Sequence, residues 1–270
     1  MTPSEPLNIV SLSVVIPAYN EAHRILPYLQ AITVYLGRRG LSYEIFVVDD
    51  GSQDDTAVAV ERAATYNPHI RLIRLPRNSG KGAAVRAGMQ VAQGALQLFA
   101  DADGATPIQE LERLEAAVKN GANLAIGSRT LASRDNRYQV KARLHRTLLG
   151  NLFNRVVCAL GIHHIHDTQC GFKLFRQSVA QDLFAVARIE GYGFDLELLY
   201  VAQRRGYRIA EVPINWTDQP GSKVRVLRDG FRMLGEMLAV RRNHARELYA
   251  SRQRFPVRAD EERTERGRRE

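Results

Sequence analysis

From Leu12 to Gly127 the sequence alternates short apolar stretches with helix-forming ones, and three of the apolar stretches end in acidic or polar loops. LSVVI, Leu12 to Ile16, reads as a buried strand closed by Pro17, and PAYNE, Pro17 to Glu21, as the loop after it. A helix is expected from about Pro27, a residue tolerated in a first helical turn, with Leu29, Ile32, Thr33 and Leu36 on its buried face. YEIFVV, Tyr43 to Val48, is a second strand ending in Asp49 and Asp50. Asp54 or Asp55 then caps a helix to Tyr66. Ile70 to Leu75 is a third strand, and NSGKG, Asn78 to Gly82, leads into a helix from about Ala83 to Gln93. A fourth strand ends at Asp101, a helix opens at Pro107, and NLAIG, Asn123 to Gly127, is a fifth strand. This alternation predicts an α/β fold with a mostly parallel sheet and helices on both faces. PAYNE, DDGS and DAD then converge on the carboxyl edge of the sheet, where ligands of open α/β sheets sit.

The stretch LQLFADAD, Leu96 to Asp103, carries the sharpest chemistry. Strand residues alternate sides, so Asp101 and Asp103 project the same way. Two carboxylates so close repel each other unless a cation lies beside them. A hard ion such as Mg²⁺ or Mn²⁺ takes oxygen ligands and commonly shares them with phosphates, so the pattern fits a metal-diphosphate site. A strand followed by an acidic turn fits it too.

NSGKG is neither a P-loop nor a dinucleotide fingerprint. Leu75 and Gly82 stand where a P-loop needs Gly and Ser or Thr, and Val85 stands where the fingerprint needs its third Gly. Glycines ahead of a helix, with Lys81, are compatible with anion binding through backbone N–H groups, and equally with a plain turn and cap. His163, His164 and His166 lack the Cys or Glu spacing of a zinc site and read as a polar linker.

The second half is more basic. Leu131 to Gln139 reads as a mobile Arg-rich loop. Val140, Leu144, Leu148, Leu152, Val156 and Leu160 form one stripe, flanked by Lys141, Arg143, Arg146 and Arg155. A second helix, Val224 to Val240, places Leu227, Phe231, Leu234 and Leu238 on one face. Such helices suit the interface of an anionic membrane, or pack on the sheet as core. DTQCGFKLF, Asp167 to Phe175, is a loop entering a strand, and FDLELLYVAQRRG, Phe194 to Gly206, is a helix. RIAEVPINW, Arg208 to Trp216, is an edge strand, because Pro213 cannot donate to a ladder. One domain is expected over 1–240, with amphipathic helices at about 138–160 and 224–240, and a charged, disordered tail over 241–270. The net charge of +9 and pI near 9.8 imply an anionic partner. No nucleic-acid motif accompanies that charge, so nucleic acid is not the expected partner. With two cysteines, Cys158 and Cys170, no disulfide framework is expected. No signal peptide or apolar run of about 18 residues is present, so no membrane span is expected.

PAYNE, VVDDGS, NSGKG, DADGA, GSR, DTQCGFK and FDLELL occur in this order, and together they resemble the family 2 glycosyltransferases with the GT-A fold. Within that family the sequence is similar to the polyprenyl-phosphate hexosyltransferases, the dolichyl-phosphate glucosyltransferase and mannose synthase group. Asn215, Trp216, Thr217 and Gly221 to Lys223 favour the glucosyltransferase branch. The resemblance implies metal-dependent, inverting transfer of a hexose from a nucleotide-diphosphate sugar to a polyprenyl phosphate, giving a β-linked lipid-phosphate sugar. The donor is UDP-glucose by preference and GDP-mannose second, and the metal Mg²⁺ or Mn²⁺. A GDP-mannose-dependent mannose synthase, or a same-fold enzyme with a non-lipid acceptor, is the alternative.

The resemblance also assigns residues. Pro17, Tyr19, Glu21 and Asp50 hold the nucleotide, with Lys81 beside it. Asp101 and Asp103 address ribose and metal, and Gln169 is a third metal-side ligand. Arg129, Lys223 and Arg225 contact the acceptor phosphate. Asp195 and Glu197 lie where the sugar is expected, although acids also favour a helix start through its dipole. Eukaryotic dolichyl-phosphate glucosyltransferases carry an N-terminal membrane anchor with no counterpart here. The expected location is therefore cytoplasmic and peripheral, at the inner face of the cytoplasmic membrane, with a bacterial polyprenyl phosphate as acceptor.

Overall fold

The structure, a computed structural model, describes residues 10–141, 157, 161–219 and 226–250. Its first five strands are β1 (Leu12–Ala18), β2 (Tyr43–Asp49), β3 (Ile70–Arg74), β4 (Leu96–Ala100) and β5 (Leu124–Ser128). Between them run α1 (Ile25–Arg38), α2 (Thr56–Tyr66), α3 (Lys81–Val91) and α4 (Leu111–Lys119), the last preceded by a 3₁₀ turn, Ile108–Glu110. A short α5 (Arg129–Ala132) follows β5, then β6 (Val140–Lys141), β7 (Phe172–Arg176), α6 (Gln177–Val186), α7 (Phe194–Arg204), β8 (Ile209–Pro213), β9 (Trp216–Thr217) and α8 (Val226–Ala245).

Seven strands form one sheet in the order β3-β2-β1-β4-β7-β5-β8, and β6 pairs with β9 in a second, two-stranded sheet. β7 alone runs against its neighbours, pairing antiparallel with both β4 and β5. The strand β8 sits at the edge, which accommodates Pro213. All seven residues of β1 and of β2 are buried, as expected of strands covered on both faces. Alternation divides them cleanly. Val15, Phe46, Val48 and Phe99 pack with α3, α6, α7 and α8 on one face. Val14, Ile16, Ile45, Val47 and Leu98 pack with α1 and α4 on the other. Each fully buried large side chain of this kind contributes about 1.5–3 kcal/mol.

Several expected boundaries move. β1 continues through Pro17 to Ala18, and α1 begins at Ile25. Val140 and Lys141 do not open a helix, since they pair with Trp216 and Thr217. The rest of the Val140–Leu160 stripe lies outside the described residues, apart from Val157, which is buried in the core. The packed domain also runs past residue 240: α8 ends at Ala245, and Tyr249 is buried. On α8 it is Met237 and Val240 that enter the core, while Leu238 is 59% exposed. Among the described residues no helix is long and apolar enough to cross a membrane.

Candidate active site

The chain steps from β1 outward to β2 and β3, then returns to the other side of β1 as β4. That reversal makes the carboxyl ends of β1 and β4 the natural crevice of the sheet. PAYNE leaves β1 there and DAD leaves β4. Because β7 is antiparallel, its start reaches the same edge: Ala100 pairs with Phe172, and the Asp101 N–H donates to the Gly171 carbonyl at 2.9 Å. The sequence pattern did not foretell this reversed strand, yet it is what brings DTQCG to the DAD loop.

PAYNE and DDGS are tied together. The Asn20 N–H donates to Ser52 Oγ at 2.8 Å, the Glu21 N–H to Thr56 Oγ1 at 2.7 Å, and the Gln53 N–H to Asn20 Oδ1 at 2.8 Å. Pro17 is buried inside β1, and Tyr19 and Glu21 are half-buried at its exit. The Arg24 guanidinium donates to both oxygens of Glu21, at 2.6 and 2.7 Å. Asp50 is buried and its carboxylate accepts the Ser79 and Gly80 N–H groups at 2.7 and 2.9 Å. Burial raises its pKa despite those two donors.

Those bonds change the meaning of NSGKG. The Gly82 and Ala83 N–H groups in turn donate to the Glu190 carbonyl, at 2.7 and 3.3 Å. Three backbone donors of the loop, and that of Ala83 after it, are thus satisfied within the chain, and the plain turn and cap describes it better than a phosphate cradle. The glycines have a packing cause. A Cβ at Gly80 would strike the Glu190 carbonyl, and one at Gly82 would strike Ile189 and Phe194.

Lys81 itself points into the crevice and pairs with Asp101 at 2.7 Å. Burial works against its charge, but Asp101 and Asp195 beside it hold the ammonium protonated well above the ordinary lysine range. The Asp101 carboxylate lies directly against Gly171, where a Cβ could not fit. Asp103 accepts the Ala105 N–H at 3.0 Å. Its pKa is raised by burial and then by Asp101. Gln169 Nε2 is buried with no hydrogen-bond partner among the described residues. Among those residues no group of three His, Cys, Asp or Glu side chains could hold a metal. The two carboxylates do fit an ion that keeps most of its ligands from a diphosphate, as Mg²⁺ and Mn²⁺ do, and Gln169 would join them only through Oε1, because its unbonded Nε2 is a donor. They do not fit a closed zinc site, and neither do the histidines: the His166 ring pairs with Glu211 at 2.9 Å.

Asp195 is fully buried, accepting from Lys173 Nζ at 2.6 Å; the same ammonium donates to the Cys170 carbonyl at 2.6 Å. Burial raises the Asp195 pKa, partly offset by Lys173 and Lys81. Asp101, Lys81, Asp195 and Lys173 therefore form one chain of alternating charge. The Cys170 thiol is pushed up to about 12 by burial and is inert packing.

Glu197 departs from expectation. Residues two apart on a helix face nearly opposite ways, and Glu197 points away from Asp195. Its oxygens accept the Arg188 and Ile189 N–H groups at 2.9 Å and the Tyr249 hydroxyl at 2.6 Å. It does not line the crevice. Arg129 is likewise engaged: its guanidinium donates to both oxygens of Asp167, at 2.7 and 2.8 Å, and lies 5.4 Å over the Trp216 ring. Lys223 and Arg225 lie outside the described residues. Sequence reading missed Lys173, Asp167 and Arg24 as partners; the first two sit in DTQCGFK itself, and Arg24 gave no signal.

The family model for glycosyl transferase family 2 matches residues 13–184. The chain belongs to this family. It is 42% identical over 238 residues to the dolichyl-phosphate beta-glucosyltransferase ALG5C of Trichomonas vaginalis, covering 83% of this chain and 68% of that protein. It is 40% identical over 226 residues to the human dolichyl-phosphate beta-glucosyltransferase, covering 79% and 69%. The fold is that of glucosyl-3-phosphoglycerate synthase from Mycobacterium tuberculosis bound to phosphoglyceric acid, with a TM-score of 0.65, 20% identity and coverage of 85% and 79%. A structure of that synthase with Mn²⁺ and UDP-glucose aligns at a TM-score of 0.56, 19% identity and coverage of 85% and 77%. The chain is a glycosyltransferase with a GT-A fold, as its motifs implied.

Proposed function

We propose that this glycosyltransferase moves glucose from UDP-glucose to a polyprenyl phosphate at a membrane surface, with inversion. The observation that carries the reading is the Asp101–Asp103 pair with Lys81 and Asp195 at the β1/β4 crevice, in a chain 42% and 40% identical to dolichyl-phosphate beta-glucosyltransferases. PAYNE and the β2 loop form the nucleotide wall, with Tyr19 and Glu21 at its rim. Asp101 and Asp103, with Gln169, would hold a divalent ion, which offsets charge on the departing nucleoside diphosphate. Lys81 adds a fixed cation on the same side. Asp195, held by Lys173, faces the place of the sugar. A phosphate acceptor is already ionised near neutral pH, its second pKa being about 6, so the site needs no strong base.

Arg129 stands at the acceptor side, oriented by Asp167 and Trp216 and therefore pre-set for a charge-assisted contact, and Lys223 and Arg225 complete the proposed phosphate site. The exposed Leu238, with half-buried Leu234 below it, gives α8 an apolar edge suited to a membrane interface and to a peripheral, cytoplasmic-face location. The test is product analysis with UDP-glucose, GDP-mannose and UDP-GlcNAc offered with polyprenyl phosphate. Glucosyl lipid from UDP-glucose alone supports the reading, and mannosyl lipid from GDP-mannose overturns the donor.

A further inference from the structure

The segment from Arg188 to Gly193 is a strap laid across the start of α3. On its inner side the Glu190 carbonyl takes the Gly82 and Ala83 N–H groups, those of the two peptides that follow Lys81. Gly80 and Gly82 lack side chains where this strap presses. Two carboxylates hold the strap from behind. Glu197 takes the Arg188 and Ile189 N–H groups, and Glu236 of α8 takes the Gly193 N–H at 2.7 Å. Side chains at Gly191 and Gly193 would collide with Glu236, so the contact is built on both partners. Glu197 is held in turn by Tyr249, whose hydroxyl donates at 2.6 Å and whose carbonyl receives Arg205 at 2.7 Å. Burial raises the Glu197 pKa, and the donors around it are what make the site tolerable for a carboxylate.

We infer that Tyr249, Glu197 and Glu236 are positioning residues that act through the Arg188–Gly193 strap to fix Lys81 against Asp101, so α8 and the turn that follows it set the geometry of the nucleotide side. Neither Tyr249 nor Glu236 reaches the crevice itself. Backbone carbonyl and N–H groups carry the connection, and a shift of the strap moves the first turn of α3 with it. The assignment of a nucleotide to Lys81 rests on the proposed function, whereas the mechanical link does not.

Tyr249→Phe removes only the hydroxyl. Hydrogen exchange on the full chain is the first measurement, with Leu114→Ala on the opposite face of the sheet as a core control. Exchange at Arg188, Ile189, Gly82 and Ala83 should speed up about tenfold in Tyr249→Phe while β1 and β2 stay protected, and Glu236→Gln should do the same from the other end. Uniform acceleration matching Leu114→Ala, or no change at Gly82 and Ala83, overturns the inference. The second measurement is UDP binding by calorimetry in a double-mutant cycle with Lys81→Ala. Tyr249→Phe should weaken UDP about fivefold with Lys81 present and less than twofold without it. An equal loss in both backgrounds rejects action through Lys81. Wild-type protein that binds no UDP at all counts against the donor assignment alone, since the exchange pattern still decides the strap.

Discussion

The two sides of the crevice handle charge in opposite ways. On the β1–β4 side, Asp101 and Asp103 face each other with Lys81 on one of them, and the Asp103 carboxyl is pushed up by burial and by its neighbour. Lys81 and Arg24 offset part of that negative charge, and the divalent ion proposed above would offset more. On the β5–β9 side, Arg129 is closed on Asp167 and Trp216, His166 on Glu211, and Asn215 on Glu110. The charges there are already met by the chain. One side gathers adjacent carboxylates at a crevice where a diphosphate-bound ion is proposed, and the other closes its charges into a frame around an arginine. The acidic pair was readable from its spacing as a binding feature, whereas Arg129 was assigned only through the family resemblance.

The largest effect should come from breaking the incomplete side. Asp103→Asn keeps the shape but removes a charge where the proposal puts the leaving diphosphate, so transfer should fall about 10²–10³-fold with the fold intact, and EDTA should do the same to wild type. Near-normal turnover in either case would remove the metal from the mechanism.

Breaking the closed side should cost stability first. Asp167→Asn leaves Arg129 half-paired, and about 3 kcal/mol is expected, the low end for a buried pair because 32% of the Arg129 side chain stays in solvent. Burial alone would raise the Asp167 pKa, but the Arg129 guanidinium and its N–H more than offset that and hold it below the ordinary carboxylate range. A depressed pKa stabilises the folded state above the unfolded value of about 3.9 and loses that contribution as pH falls below it. The gap between wild type and Asp167→Asn in urea titrations should therefore be full at pH 7 and narrow below about pH 4. A gap that stays constant to pH 3 would contradict the pairing.

Arg129→Ala sharpens the contrast in kinetics: acceptor KM should rise about tenfold, the loss of one charge-assisted hydrogen bond, with donor KM little changed. Equal effects on both substrates would move Arg129 out of the acceptor site. The smallest effect is expected at Leu238→Ser. Unfolding should shift by less than about 0.5 kcal/mol, because the side chain is mostly exposed. Sedimentation with anionic liposomes should weaken a few-fold, about 1 kcal/mol of lost apolar burial. Undiminished liposome binding would release α8 from that role.

Local pattern determined a good deal. Short, continuously buried stretches at β1, β2 and β4 and the helical stripes between them specify a parallel α/β sheet, and they place Asp101 and Asp103 at a strand's carboxyl end. Pro213 marks β8 as an edge. Such periodicities need only neighbours in the chain. What each buried polar group bonds to is not of that kind. Asp195 and Glu197 are indistinguishable by spacing from two active-site acids, yet one meets Lys173 and the other meets Tyr249, 52 residues on. NSGKG resembles an anion loop until Asp50 and the Glu190 carbonyl take its N–H groups. The antiparallel β7, which delivers Gly171 to Asp101, and the burial of Tyr249 beyond the expected domain end belong to the same class. A buried donor or acceptor is satisfied by whichever backbone the tertiary fold carries past it, and only the assembled structure brings those distant segments together.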